Sequence, residues 1–106
     1  MDEFEIVCDS YLQWLRNSML FEDVKRIRRP ASNVTLSSNY NVTRNNIKYI
    51  IYVGITIRNN LATSSIRIIQ DDKSKKVIFK EKLNFASTWN DLLQYYKNVT
   101  CNVFQN

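Results

Sequence analysis

The sequence predicts an α+β fold, an antiparallel meander of about four strands flanked by an N-terminal and a C-terminal helix. Two segments with apolar residues at the 3.6-residue helical period bracket a middle region in which apolar and polar residues alternate. Short polar segments rich in Asn and Asp interrupt that region, and short connections favour antiparallel neighbours. A chain of 106 residues has room for one core, so a single domain over 1–106 is expected.

In the first segment Phe4, Cys8, Tyr11, Leu12, Leu15 and Met19 fall on one helical stripe, with Asp2 and Glu3 at the positive end of the helix dipole. Residues 22–30 contain Lys25-Arg26-Ile27-Arg28-Arg29 and stop at Pro30. This reads as a basic, solvated connector, with a short strand over 24–27 or a nuclear-localisation cluster as alternatives. From Val34 the period becomes two, with Val34, Leu36, Ser38, Tyr40 and Val42 alternating with polar residues. Arg44-Asn45-Asn46 supplies a tight turn, because Asn tolerates the left-handed conformation. Ile47, Tyr49, Ile51, Val53, Ile55 and Ile57 then form one apolar face of a central strand, in which Gly54 marks a bulge or a close backbone approach.

Asn59-Asn60 opens a second turn before a strand containing Ile66 and Ile68, and Asp71-Asp72-Lys73-Ser74 a third before a strand with Val77 and Phe79 on one side. Phe85, Trp89, Leu92, Leu93 and Tyr96 predict the last helix, capped by Ser87 or by Thr88, whose spacing to Asp91 resembles a capping box. The tail over 98–106 is polar enough to fray. The expected core is Leu12, Leu15, Ile51, Val53, Ile55, Ile66, Ile68, Phe79, Trp89 and Leu92.

Composition removes most catalytic chemistries. With no His, one Gly and one Pro, the chain has no His-dependent triad, His metal site or glycine-rich phosphate loop. Asp71 and Asp72 are explained by their turn, and Glu81, Asp91, Cys8 and Cys101 lack a neighbouring base. No enzyme, cofactor or metal is expected. The two cysteines read as separate thiols in a reducing compartment. The acidic start, Met1-Asp2-Glu3-Phe4-Glu5, is unlike a secretory signal, and the longest apolar run, 49–57, falls far short of the ~20 residues that span a bilayer. The expectation is a soluble intracellular protein, cytoplasmic or nuclear, with no membrane partner. Asn, Ile, Lys and Tyr make up 38 of the 106 residues, a bias that AT-rich codons produce and that hints at a virus, a mobile element or a low-GC bacterium.

Charge is distributed unevenly. Residues 1–20 sum to −3, residues 81–106 balance, and residues 21–80 carry +8 against +5 for the whole chain. If both helices cover the sheet face of Val34, Leu36, Ile51, Val53, Ile66, Ile68, Val77 and Phe79, then Ile50, Tyr52, Ile69 and Ile78 emerge on the other face. There they are interleaved with Lys48, Arg58, Arg67, Lys80 and Lys82. An apolar stripe framed by positive charge calls for a partner. The expected function is therefore a small non-catalytic binding module.

In one version Lys25, Arg26, Arg28, Arg29, Lys48, Arg58, Arg67, Lys80 and Lys82 contact the phosphates of a nucleic acid or ribonucleoprotein, and Tyr52 stacks. In the other, a viral, phage or mobile-element inhibitor or accessory protein uses Ile50, Ile69, Ile78 and Tyr52 to anchor an acidic protein, or a homodimer through the sheet. Helices that cover opposite faces and bury these residues are the alternative to both. The order helix, antiparallel strands, helix with a basic sheet is similar in outline to the Alu-binding subunits of the signal recognition particle and to double-stranded-RNA-binding domains. No residue motif carries that likeness. Where the latter have a lysine cluster at the start of the final helix, this chain has Asn84-Phe85-Ala86-Ser87-Thr88.

Overall fold

The computed structural model describes residues 3–32, 34–84 and 88–105. Its elements are α1 (Glu3–Asn17), β1 (Asp23–Arg28), β2 (Thr35–Arg44), β3 (Ile47–Arg58), β4 (Leu61–Gln70), β5 (Val77–Asn84) and α2 (Trp89–Phe104). The strands form one sheet in the order β1-β2-β3-β4-β5, every pair antiparallel. This is the predicted α+β meander between two helices, and the strand beyond the four read in the sequence is β1. Residues 23–28 pair along their length with β2, from Asp23 opposite Thr43 to Arg28 opposite Ser38, so the segment read as a connector is an edge strand.

Two of the three hairpin turns follow from asparagine chemistry. Asn45 and Asn46 have φ of 52° and 66°, and Asn59 and Asn60 have 52° and 64°. Two consecutive left-handed residues make the turn whose twist matches that of the flanking strands, and Asn reaches this conformation at lower cost than most side chains. The β4–β5 turn uses Asp72 instead, which accepts from the Ser74 backbone N–H at 2.9 Å and from its hydroxyl at 2.5 Å.

Both helices lie on the same face of the sheet. α1 covers β1 and β2, where Tyr40 donates from its hydroxyl to the Cys8 carbonyl at 2.8 Å. α2 covers β3 and β4, with the Phe104 ring against Tyr49 at 5.1 Å between centroids and the Tyr96 hydroxyl 3.5 Å from that of Ser64. The helices meet through Tyr11, whose hydroxyl lies 2.6 Å from Thr100 Oγ1 and whose ring packs on Tyr96 and Tyr40. The core consists of Phe4, Val7, Cys8, Tyr11 and Leu15 of α1, Leu92, Tyr96, Val99 and Phe104 of α2, and sheet residues including Tyr40, Val42, Ile51, Val53, Ile55, Ile66 and Ile68. Leu12, Trp89 and Phe79, expected inside, are partly buried at its margin.

Four expectations change. α1 ends at Asn17, and Met19, placed on its stripe by spacing, has φ of 65° and is 92% exposed while Leu20 turns inward. The segment expected to fray is the second half of α2, in which Val99, Thr100 and Phe104 are buried. Val34 is exposed. Finally, Ile68 pairs with Phe79 but Ile69 pairs with Val77, which leaves Ile78 as the extra residue of a β-bulge. Strand parity inverts there, so Val77 sits opposite Ile69 on the helix-free face while Ile78 lines a cleft with Tyr49, Val103 and Phe104 on the helix side. The predicted capping box is present: Asp91 N–H donates to Thr88 Oγ1 at 3.2 Å, and Thr88 N–H donates to the Asp91 carboxylate at 3.4 Å. Ser87 and Phe85 lie outside the described residues.

Candidate functional site

Side chains directly opposite one another across strands point to the same side, so the register assigns each row to a face. On the side away from the helices one row runs Lys25, Asn41, Ile50, Ile69, Val77 and the next Ile27, Asn39, Tyr52, Arg67, Lys80. A third runs Ser37, Gly54, Ser65, Lys82, followed by Thr35, Thr56, Thr63, Asn84. The apolar residues thus gather at the end of the sheet that holds the β2–β3 and β4–β5 turns.

Around the middle rows lies a cleft of about 370 Å³, lined by Arg29, Thr35, Ser37, Asn39, Tyr52, Gly54, Thr56, Ser65, Arg67, Lys80 and Lys82, with contributions from Val53, Ile66 and Glu81. Its floor is the row Ser37, Gly54, Ser65. A Cβ built at Gly54 would lie 3.2 Å from the Leu36 carbonyl oxygen and 3.5 Å from Ser65 Oγ, so the glycine keeps the floor low. Of the two roles expected for Gly54, this is the close approach; the bulge is at Ile78. The wall beside the floor carries a stacked pair, with the Arg67 guanidinium carbon 4.4 Å from the centroid of the half-buried Tyr52 ring.

The predicted cations separate by face. Arg29, Arg67, Lys80 and Lys82 share the cleft with Tyr52. Lys25, Lys48 and Arg58 occupy the same face by register but lie outside the cleft lining. Among the described residues none of these seven has a carboxylate within ion-pair distance.

Arg26 and Arg28 were expected to contact a partner, and they instead point to the helix side. The Arg26 side chain is only 4% exposed, donating from Nη2 to Glu5 Oε1 at 2.7 Å, from Nη1 to Asp9 Oδ1 at 2.6 Å and from Nε to Ser38 Oγ at 2.7 Å. Burial works against its charge, but the Glu5 carboxylate more than offsets that and its pKa is raised. Arg28 donates from Nη1 to Glu5 Oε2 at 2.8 Å. The physical reason is parity, since Arg26 and Arg28 alternate with Lys25 and Ile27 and must face α1, where Glu5 and Asp9 lie one turn apart.

Ile50 and Ile69 stand on the open face as expected, Ile69 at 8% exposure among its neighbours, whereas the bulge moves Ile78 to the other side. Sequence reasoning did not single out the hydroxyl residues of the cleft, and the lone glycine of a central strand was the signal that marked their place. Glu81 lines the cleft but is held from the helix side by the Tyr95 hydroxyl, which donates to it; burial, then that carboxylate, pushes the Tyr95 pKa up. Cys8 and Cys101 are free thiols, Cys8 buried and raised to about 11 chiefly by desolvation, which suppresses its nucleophilicity at neutral pH. Among the described residues no group of three or more Cys, Asp or Glu is arranged to hold a metal, and no helix is long and apolar enough to cross a membrane.

No protein-family model matches the chain, and neither does any curated protein or solved structure.

Proposed function

We propose that the protein is a non-catalytic binding module that takes a nucleic acid on the open face of its sheet. The observation that carries this reading is the sorting of charge between the faces: the β1 cations that face the helices, Arg26 and Arg28, are paired with Glu5 and Asp9, while among the described residues Lys25, Arg29, Lys48, Arg58, Arg67, Lys80 and Lys82 of the open face have no ion-pair partner. Polyanionic phosphates complement such a surface, and the hydroxyls of Thr35, Ser37, Thr56 and Ser65 add hydrogen-bond donors. A second copy of the chain is a poor occupant, because stacking two such faces opposes like charges. An acidic protein partner is the second reading, favoured by the apolar end of the face at Ile50, Ile69 and Val77.

The test is a salt titration of binding to generic RNA and DNA. With four cations in the cleft, log affinity for a single strand is expected to fall against log salt with a slope of about −3. Absence of binding to any nucleic acid at low salt would overturn the reading and leave the acidic protein.

A further inference from the structure

We infer that the bound nucleic acid is single-stranded, with a phosphate seated over Gly54 and an unpaired base against the Arg67–Tyr52 pair; this rests on the reading above. The floor of the cleft is concave because its central residue has no side chain, and its neighbours in register are two serines. Thr35 and Thr56, whose hydroxyl oxygens are 3.3 Å apart, rim one side of that floor, and Arg29 and Lys82 line the same cleft from opposite edges of the sheet. Four hydroxyls and two cations around a small hollow suit a compact group with several acceptor oxygens. A phosphate has that shape and charge, and the Glu81 carboxylate that lines the cleft is engaged by Tyr95 on the other side of the sheet.

Two residues along β3 from Gly54 stands Tyr52, a separation of about 6.6 Å. That is near enough for the phosphate and the base of one nucleotide to occupy both places. The Arg67 guanidinium covers one face of the Tyr52 ring, so the pair offers the outer plane of the exposed guanidinium, held by the ring beneath it, to a planar, electron-rich group. Bases within a duplex are stacked on one another and turned inward. A duplex therefore reaches the rim cations Lys80, Lys82 and Arg29 with its phosphate ridges but leaves the Arg67–Tyr52 pair unused.

The experiment compares a labelled single strand of about 12 nucleotides with a blunt duplex of the same length, by fluorescence anisotropy at low salt. The expected result is at least tenfold tighter binding of the single strand. Tyr52→Ala is expected to weaken the single strand roughly 5- to 150-fold, the range for loss of one stacked base, with little change for the duplex. Ser65→Val fills the floor with a side chain suited to a strand and is expected to weaken the single strand as well, while Ser65→Ala leaves room and retains most of the affinity. Circular dichroism and melting of each variant establish that it is folded. Equal or tighter binding of the duplex, or equal losses for both ligands in Tyr52→Ala, overturns the single-strand inference while leaving nucleic-acid binding in place. Binding of neither ligand overturns the broader reading itself.

Discussion

The two faces of the sheet are made from the same five strands, yet they solve opposite problems. On the helix side the central positions Tyr40, Ile51, Val53, Ile66 and Ile68 are sealed, and of the basic residues that parity sends there Arg26 and Arg28 meet two carboxylates of α1 while Arg44 donates to the Leu20 carbonyl. On the open side the row Ser37, Gly54, Ser65 is small or hydroxylic beside the larger Tyr52 and Arg67, and among the described residues the basic residues there have no carboxylate within ion-pair distance. The difference teaches that a basic strand has no charge signature of its own. Its alternate residues divide between an internal network that holds α1 to the sheet edge and an external surface available to a ligand.

The largest effect that tests this contrast is expected from Ile51→Ala. Ile51 is fully buried between the sheet and the helices, and its truncation is expected to cost about 2–5 kcal/mol in chemical unfolding. Tyr52→Ala, one residue along on the open face, is expected to cost under about 1 kcal/mol despite removing a larger side chain. Similar losses at the two positions would erase the distinction between the faces.

Alkaline pH attacks the helix side through its buried thiol and phenols. Burial raises the pKa of Cys8 to about 11 from an ordinary 9.0, and raises those of Tyr11, Tyr40 and Tyr96 above their ordinary 10.0. Each group is neutral in the folded protein and ionises more readily when unfolded, so its contribution is complete below the unfolded value and is lost as pH rises toward the folded one. Stability is expected to show no loss from these groups up to about pH 9 and to fall steeply above it, with Cys8 alone accounting for about 2–3 kcal/mol by pH 11. Melting temperature measured against pH checks this; Cys8→Ala is expected to move the onset toward pH 10, where the tyrosines take over.

Arg26→Met is expected to destabilise by about 1–2 kcal/mol. The buried guanidinium is lost, but Glu5 and Asp9, whose side chains are 30% and 40% exposed, regain water, which reduces the cost below that of a fully buried pair. Arg28→Met, at 67% exposure, is expected to change stability by less than about 0.5 kcal/mol, and thermal melts of the two variants rank them. The smallest structural effect belongs to Lys80→Ala combined with Lys82→Ala. Stability is expected to stay within about 0.5 kcal/mol per site, while the salt slope of nucleic-acid binding becomes shallower by about 0.7 per cation removed.

Much of the fold is legible in the sequence because local chemistry and global arrangement agree. Asn45-Asn46 and Asn59-Asn60 announce their turns, Ile51, Val53 and Ile55 their face, and Thr88 with Asp91 the start of α2. Three elements were hidden, each for a reason. β1 presents Arg26 and Arg28 where an inward-facing strand ordinarily presents apolar residues, since what they meet in α1 is charged. The second half of α2, with Asn98, Val99 and Thr100, carries residues of modest helix propensity, and it is held by packing of Val99 and Phe104 and by the Thr100 hydroxyl, which donates to the Tyr96 carbonyl. The bulge at Ile78 changes parity without any Gly to advertise it. Of the candidate cleft, the cations of β4 and β5 and Tyr52 were legible. The hydroxyl floor was not, because serine and threonine in strands carry no message until register brings them side by side.

The contact between Tyr11 and Thr100 joins residues 89 positions apart, while every strand pairs with its neighbour in the chain. The hairpins can therefore form early from local contacts, whereas docking of the two helices closes nearly the whole chain into a loop. Until residues 92–104 are in place, the nascent sheet keeps Ile51, Val53, Ile66 and Ile68 uncovered and sticky. Closure of the core thus waits for α2, and a chain shortened after Tyr96 would lose the inward-facing Val99 and Phe104 and is expected to be the form most prone to aggregate.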